Sequence, residues 1–103
     1  MPFGAADMDV QLHRFTWRSI EIEVRYMPFR WGVIAHLEIT SVAPARAPLP
    51  ITDTGYRSHF HQPNTVESLG GEVVAQVVAW LDAEATSPDW KAYESSRKQL
   101  SLL

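Results

Sequence analysis

The sequence predicts an α+β fold: an antiparallel sheet of three or four strands, with C-terminal helices packed on one face. Three observations carry that expectation. Residues 16–26 and 31–42 alternate apolar and polar with a period of two, as half-buried strands do. Residues 72–84 carry apolar positions at threes and fours, as an amphipathic helix does. Strands come first and helices last, with no alternation between them.

The opening residues 1–11 mix Pro, Gly, Ala and Asp without periodicity and read as a loose arm. Phe3 and Met8 are the groups through which it could dock on a partner. In the first strand, Ile20, Ile22, Val24 and Tyr26 share one face, and Ser19, Glu21, Glu23 and Arg25 share the other. Parity puts Trp17 on that outer face, beside Ile34 and Val42 of the next strand. Met27-Pro28-Phe29-Arg30 reads as a turn, because Pro28 lacks an amide proton and its fixed φ suits a turn position. Trp31, Val33, Ala35, Leu37 and Ile39 then form the second buried set. A four-residue turn predicts Tyr26 opposite Trp31, Val24 opposite Val33, Ile22 opposite Ala35 and Ile20 opposite Leu37. It also sets Glu21 opposite His36 as an exposed pair. Trp31 and Trp80 are expected in the core.

Pro44, Pro48 and Pro50 make a stiff connection. Asp53-Thr54-Gly55 then supplies a tight turn, and Tyr56 to Phe60 a further strand, with Leu49 to Thr52 as its short hairpin partner. Within that strand Tyr56, Ser58 and Phe60 share one face, and Arg57 and His59 the other. Usual burial puts Tyr56 in the core and Arg57 and His59 in water. Asn64 and Glu67 have capping-box spacing, but Gly70-Gly71 weakens any helix begun there. Ser87-Pro88-Asp89 is the strongest helix start: a capping hydroxyl, proline at the first helical position, and a carboxylate at the positive dipole end. That helix should run to about Gln99, and Leu100, Leu102 and Leu103 form an apolar tail.

The totals bound the task. A chain of 103 residues fits one domain, 1–103, and needs no disulfide to hold a core. The absence of cysteine excludes thiol nucleophiles and zinc knuckles, and fits a cytoplasmic address. A net charge of −3 without any long basic run disfavours nucleic acid. No apolar run of membrane-spanning length exists.

The candidate chemistry gathers between Leu49 and His61. Asp53-Thr54-Gly55 matches the catalytic turn of aspartic proteases. Thr52 before it and Tyr56-Arg57-Ser58-His59 after it do not fit that family, and an ordinary turn accounts for the three residues. Tyr56, Arg57 and His59 are candidate ligand-binding residues, with a planar cationic fork and stacking rings suited to a small anion. His59 and His61 form a His-x-His pair, the spacing that puts two imidazoles on one side of a strand as metal ligands. A third ligand would come from His36, Asp53 or Glu67. The leading expectation is a small noncatalytic interaction or ligand-binding module, open to homodimerisation or a protein partner, with no cofactor. The alternative is a small enzyme or metal-binding protein using Asp53, Arg57, His59 and His61.

The run Pro48 to Phe60, with Trp80-Leu-Asp-Ala and the closing Arg97-Lys-Gln-Leu-Ser-Leu-Leu, resembles a family of small bacterial proteins without an assigned activity. The likeness covers about the last 60 residues. It implies a bacterial, cytoplasmic setting and carries over no site residues.

Overall fold

The computed structural model describes residues 10–30 and 34–101, with side chains for 10–28 and 34–97. The expected Trp31–Val33 pairings, most of the N-terminal arm with Phe3 and Met8, and Leu102 and Leu103 lie outside the described residues. Four strands form one antiparallel sheet in sequential order: β1 (Gln11–Trp17), β2 (Ile20–Arg30), β3 (Ile34–Ala43) and β4 (Tyr56–His61). Three helices follow: α1 (Thr65–Ser68), α2 (Val73–Glu84) and α3 (Pro88–Ser101). The expected α+β architecture is therefore present, with four strands.

The parity expectation holds in the two central strands. Ile20, Ile22, Val24 and Tyr26 of β2 are buried, as are Ala35, Leu37 and Ile39 of β3. Each of the isoleucines, Val24 and Leu37 contributes about 1.5–3 kcal/mol on leaving water. Val73, Val77 and Leu81 of α2 close over them, four residues apart and hence on one stripe. Ala85 and Trp90 extend the cover, and Trp80 packs against the core half-buried.

The register differs from the expected one. Val24 faces Ile39, Tyr26 faces Leu37 and Ile22 faces Ser41. The displacement is an even number of residues, so every side chain keeps its face while its partner changes. Met27 to Arg30 is not a turn but the end of β2. A register irregularity between Met27 and Arg30 accommodates Pro28, whose missing N–H would break a regular ladder. Glu21 consequently stands opposite Ala43 and binds Arg14 at 2.8 Å, while His36 stands opposite Met27.

Trp17 is a second correction. Arg18 (φ 47°) and Ser19 (φ 70°) form a two-residue turn with both dihedrals positive, the twist that suits a tight hairpin. Residues 11–17 are thus a separate strand, Trp17 pairs with Ile20, and its indole turns into the core rather than to the outer face. Its Nε1–H donates to Asp82 Oδ1 of α2 at 2.9 Å, and its ring meets Trp90 of α3 at 6.0 Å. One side chain therefore ties the first hairpin to both long helices. Arg18 adds contacts of 2.8 and 2.9 Å to both Glu94 carboxylate oxygens. That pair is too exposed to contribute much.

The connection into β4 is held by backbone contact. Ser41 N–H donates to the Gly55 carbonyl at 2.8 Å, and the Ser41 hydroxyl donates to the Ala47 carbonyl at 2.7 Å. Gly55 has φ +78°, and a Cβ there would lie 2.6 Å from Arg46 backbone atoms. Only glycine fits. Residues 49–55 are therefore a compact turn rather than a strand, with Leu49 bridged to Thr52 and not to β4. After β4, Asn64 precedes the one-turn α1 in a left-handed conformation without a side-chain cap, so the capping-box spacing is not used. At α3, Ser87 Oγ accepts from the Trp90 amide at 3.2 Å, as the cap signal predicts. Gly55→Ala is expected to cost at least about 2 kcal/mol through positive φ and backbone collision. That lowers the melting temperature by roughly 10 °C, as followed by circular dichroism. An unchanged melt would show the approach to be slack.

Candidate functional site

Pairing with β3 decides which way β4 faces. Leu37 stands opposite His59, Ile39 opposite Arg57 and Ala35 opposite His61. Those β3 residues point to the helices, so Arg57, His59 and His61 do too. Tyr56, Ser58 and Phe60 take the open face. The burial expected from residue type is reversed at two positions, Tyr56 at 46% exposed and His59 half-buried under the helical layer, while Arg57 is exposed as expected.

The helix-facing side of β4 borders a cleft of about 150 Å³. Leu37, Val66, Val73 and Val77 make it apolar, Trp80 and His59 wall it, and His61, Thr65 and Gln76 supply polar edges. His59 lies 5.0 Å from the Trp80 ring and 5.5 Å from the His61 ring. His61 stacks on Tyr26 at 6.2 Å with the planes 6° apart. Arg57 lies over the Trp80 ring at 5.5 Å and donates to the Ile51 carbonyl at 3.1 Å. The Gln76 amide donates to the Val66 carbonyl at 2.9 Å, which fixes α1 against α2.

Both imidazoles are held below the ordinary histidine range. Burial is the main cause for each. The Arg57 cation adds to it at His59. At His61 the neighbouring His59 adds to it, and Glu67 opposes it. At neutral pH the two rings are therefore uncharged, each with one donor and one acceptor nitrogen. Both His61 nitrogens are buried without a hydrogen-bond partner among the described residues. An unmet polar atom in such a place costs about 1–3 kcal/mol. Nearby, the Tyr26 hydroxyl donates to Glu67 at 2.8 Å, and burial and that carboxylate raise its pKa well above the usual tyrosine range.

The candidate residues named from sequence are thus divided. Arg57, His59 and His61 gather on one side of β4. Tyr56 is on the other, where its hydroxyl donates to Glu38 at 2.7 Å. Asp53 lines a different groove, with Pro48, Pro50 and Trp90. His36 lies on the same open face as Tyr56 but is buried rather than exposed as expected, bonded to Ser58 at 2.6 Å and stacked on Phe60 at 4.1 Å. Among the described residues no three His, Asp or Glu side chains stand together as a metal-binding group. Trp80, Val66 and Gln76 were not legible as site residues. Trp80 reads as core from its helical spacing, and its position against His59 depends on the pairing of β3 with β4.

Fold and cleft together define a small two-layer α+β module, with one sheet, one helical layer and an aromatic-walled cleft along an edge strand. The chain belongs to the KlcB third domain family, whose family model matches residues 10–90. No curated protein and no solved structure matches it. The matched span holds the whole sheet, α1, α2 and the start of α3. Among the described residues no helix is long and apolar enough to cross a membrane.

The lowered histidines set a pH dependence. Unfolded, His59 and His61 take up protons near pH 6.5; folded, they do so only at lower pH. Their contribution to stability is complete above about pH 6.5 and is lost as pH falls through the folded values. Urea unfolding between pH 7.5 and 5 should show declining stability, and the double variant His59→Gln/His61→Gln should flatten that decline. An identical slope in the variant would remove these two groups as its cause.

Proposed function

We propose that the chain is a noncatalytic ligand-binding module whose ligand enters the cleft between β4 and α2. The observation that carries this is the pairing of an apolar cleft with two neutral imidazoles, of which His61 has both nitrogens buried without a hydrogen-bond partner among the described residues. Few polar groups in an apolar recess is the usual composition of a small-molecule site. A recess of about 150 Å³ is ring-sized. The fitting ligand is a small planar ring bearing one polar atom. It lies against Trp80 and exchanges a hydrogen bond with His59. His61, whose nitrogens are shielded, joins when its ring turns. A small anion fits less well, because the imidazoles are neutral and Arg57 is already engaged. Absence of cysteine and the sequence resemblance support a bacterial cytoplasmic setting.

Protein-observed NMR with phenol as the probe tests the cleft. Phenol should shift His59, Val77 and Trp80 resonances at millimolar concentration, and His59→Ala should weaken binding by roughly tenfold, the scale of a lost hydrogen bond. Shifts elsewhere, or none, overturn the proposal. Zinc ion alone is the second arm: tight zinc binding lost in both His59→Ala and His61→Ala would favour the metal alternative instead.

A second reading, a homodimer through β4, rests on the free edge of that strand. The Ser41–Gly55 bond starts an alternation in which odd-numbered β4 residues bond to β3 and even-numbered ones face outward. The outward groups of Tyr56 are covered by Thr52 and Thr54 hydroxyls, at 2.8 Å for Thr52 to the Tyr56 carbonyl. Ser58 and Phe60 remain. Two copies related by a two-fold axis beside His59 match Ser58 with Phe60 in both directions. Light scattering should report a dimer, and Ser58→Pro, which removes an edge N–H, should return a monomer. A monomeric parent rules this out.

A further inference from the structure

We propose that a second groove, separate from the β4 cleft, binds an arginine side chain presented by an extended segment of a partner protein. The groove measures about 460 Å³ and runs between the proline-rich connection and the start of α3. Pro48, Leu49 and Pro50 line it from the connection, and Trp90 and Tyr93 from the helix. Asp53 and Asp89 line it as well; both are exposed, and neither forms an ion pair among the described residues.

Two independent features point to a ligand. Trp90 is only 7% exposed, and its indole Nε1–H has no acceptor among the described residues. Buried tryptophans ordinarily have one. The groove also joins aromatic walls to uncompensated negative charge, which is the composition that selects a cation with a flat apolar face. Guanidinium meets both demands: it stacks on aromatic rings, and its fork matches carboxylates. Ammonium is more strongly hydrated and offers no plane. The protein already seats its own arginines this way, with Arg18 over Trp17 at 4.7 Å and Arg97 over Tyr93 at 5.8 Å. Because Arg97 occupies Tyr93 and Trp90 is largely covered by Trp17 and Tyr93, the incoming guanidinium meets only the rim of Trp90 that lines the groove, with Asp53 and Asp89 as counter-charges. A backbone carbonyl of the same segment supplies the acceptor for the indole N–H. That N–H is sealed in the free protein, so its engagement requires Trp90 to shift, which makes its resonance the sensitive reporter. Asp89 also favours the α3 dipole, and Ser87 already caps the helix, whereas the Asp53 carboxylate has no ion pair among the described residues.

The test is a titration of isotope-labelled protein with acetyl-Pro-Arg-Pro-amide and its citrulline counterpart, which is neutral and of the same shape. The arginine peptide should move the Trp90 indole N–H downfield and shift Tyr93. The citrulline peptide should bind about tenfold more weakly or worse, as should Asp53→Asn, on the scale of one lost charge-assisted contact. His59→Ala should bind the peptide as the parent does, which separates this groove from the β4 cleft. Equal binding of the citrulline peptide, an unaffected Asp53→Asn, or no Trp90 response at millimolar peptide overturns the proposal.

Discussion

The β4 side of the molecule depends on one close backbone approach, at Gly55. There the chain turns with positive φ against Arg46 and Ala47, at a distance that admits no side chain. The Gly55 carbonyl takes the Ser41 amide, and that bond starts the pairing of β4 with β3. A strand entering one residue earlier or later would reverse its faces. Arg57, His59 and His61 would then point to the open side, and Tyr56 and Phe60 would press on the helices. The contact at Gly55 thus determines which chemistry lies under α2.

What gathers there is a histidine pair beside an indole, in an apolar recess. Two imidazoles sit in an apolar recess that keeps them neutral. Asp53, the carboxylate in the same stretch of sequence, lines another groove. Glu67 is occupied by Tyr26. The Trp80 face is shared between His59 and Arg57. The same tight turn that aims β4 separates Asp53 from the histidines, so one backbone constraint both builds the cleft and places Asp53 in a different groove.

Much of the architecture was legible because its causes are local. Alternation in β2 and β3 is a property of consecutive residues, and Ile22, Val24, Leu37 and Ile39 lie where it puts them. Ser87-Pro88-Asp89 begins α3 because hydroxyl, proline and carboxylate act within one turn. The site was half legible. His59 and His61 share a side by spacing alone, but their position in a cleft with Trp80 was hidden. Trp17 was misplaced because Arg18 and Ser19 carry no glycine or asparagine to announce a turn with two positive dihedrals. Pro28 misled for a related reason. Proline marks a break in a ladder, and an irregular strand breaks it as well as a turn does.

The sequence by itself determined the class of fold, the faces of the two central strands, the extent of the two long helices and the set of residues able to do chemistry. Each follows from periodicity or from capping within a few residues. Tertiary structure alone decided the strand partners, the inward turn of Trp17, the direction in which β4 faces and the separation of Asp53 from the histidine pair. The physical reason is that registers differing by two residues satisfy the same alternation equally well. Only contacts between distant segments, such as Gly55 against Arg46, Ser41 with Gly55, and Trp17 with Asp82 and Trp90, distinguish among them.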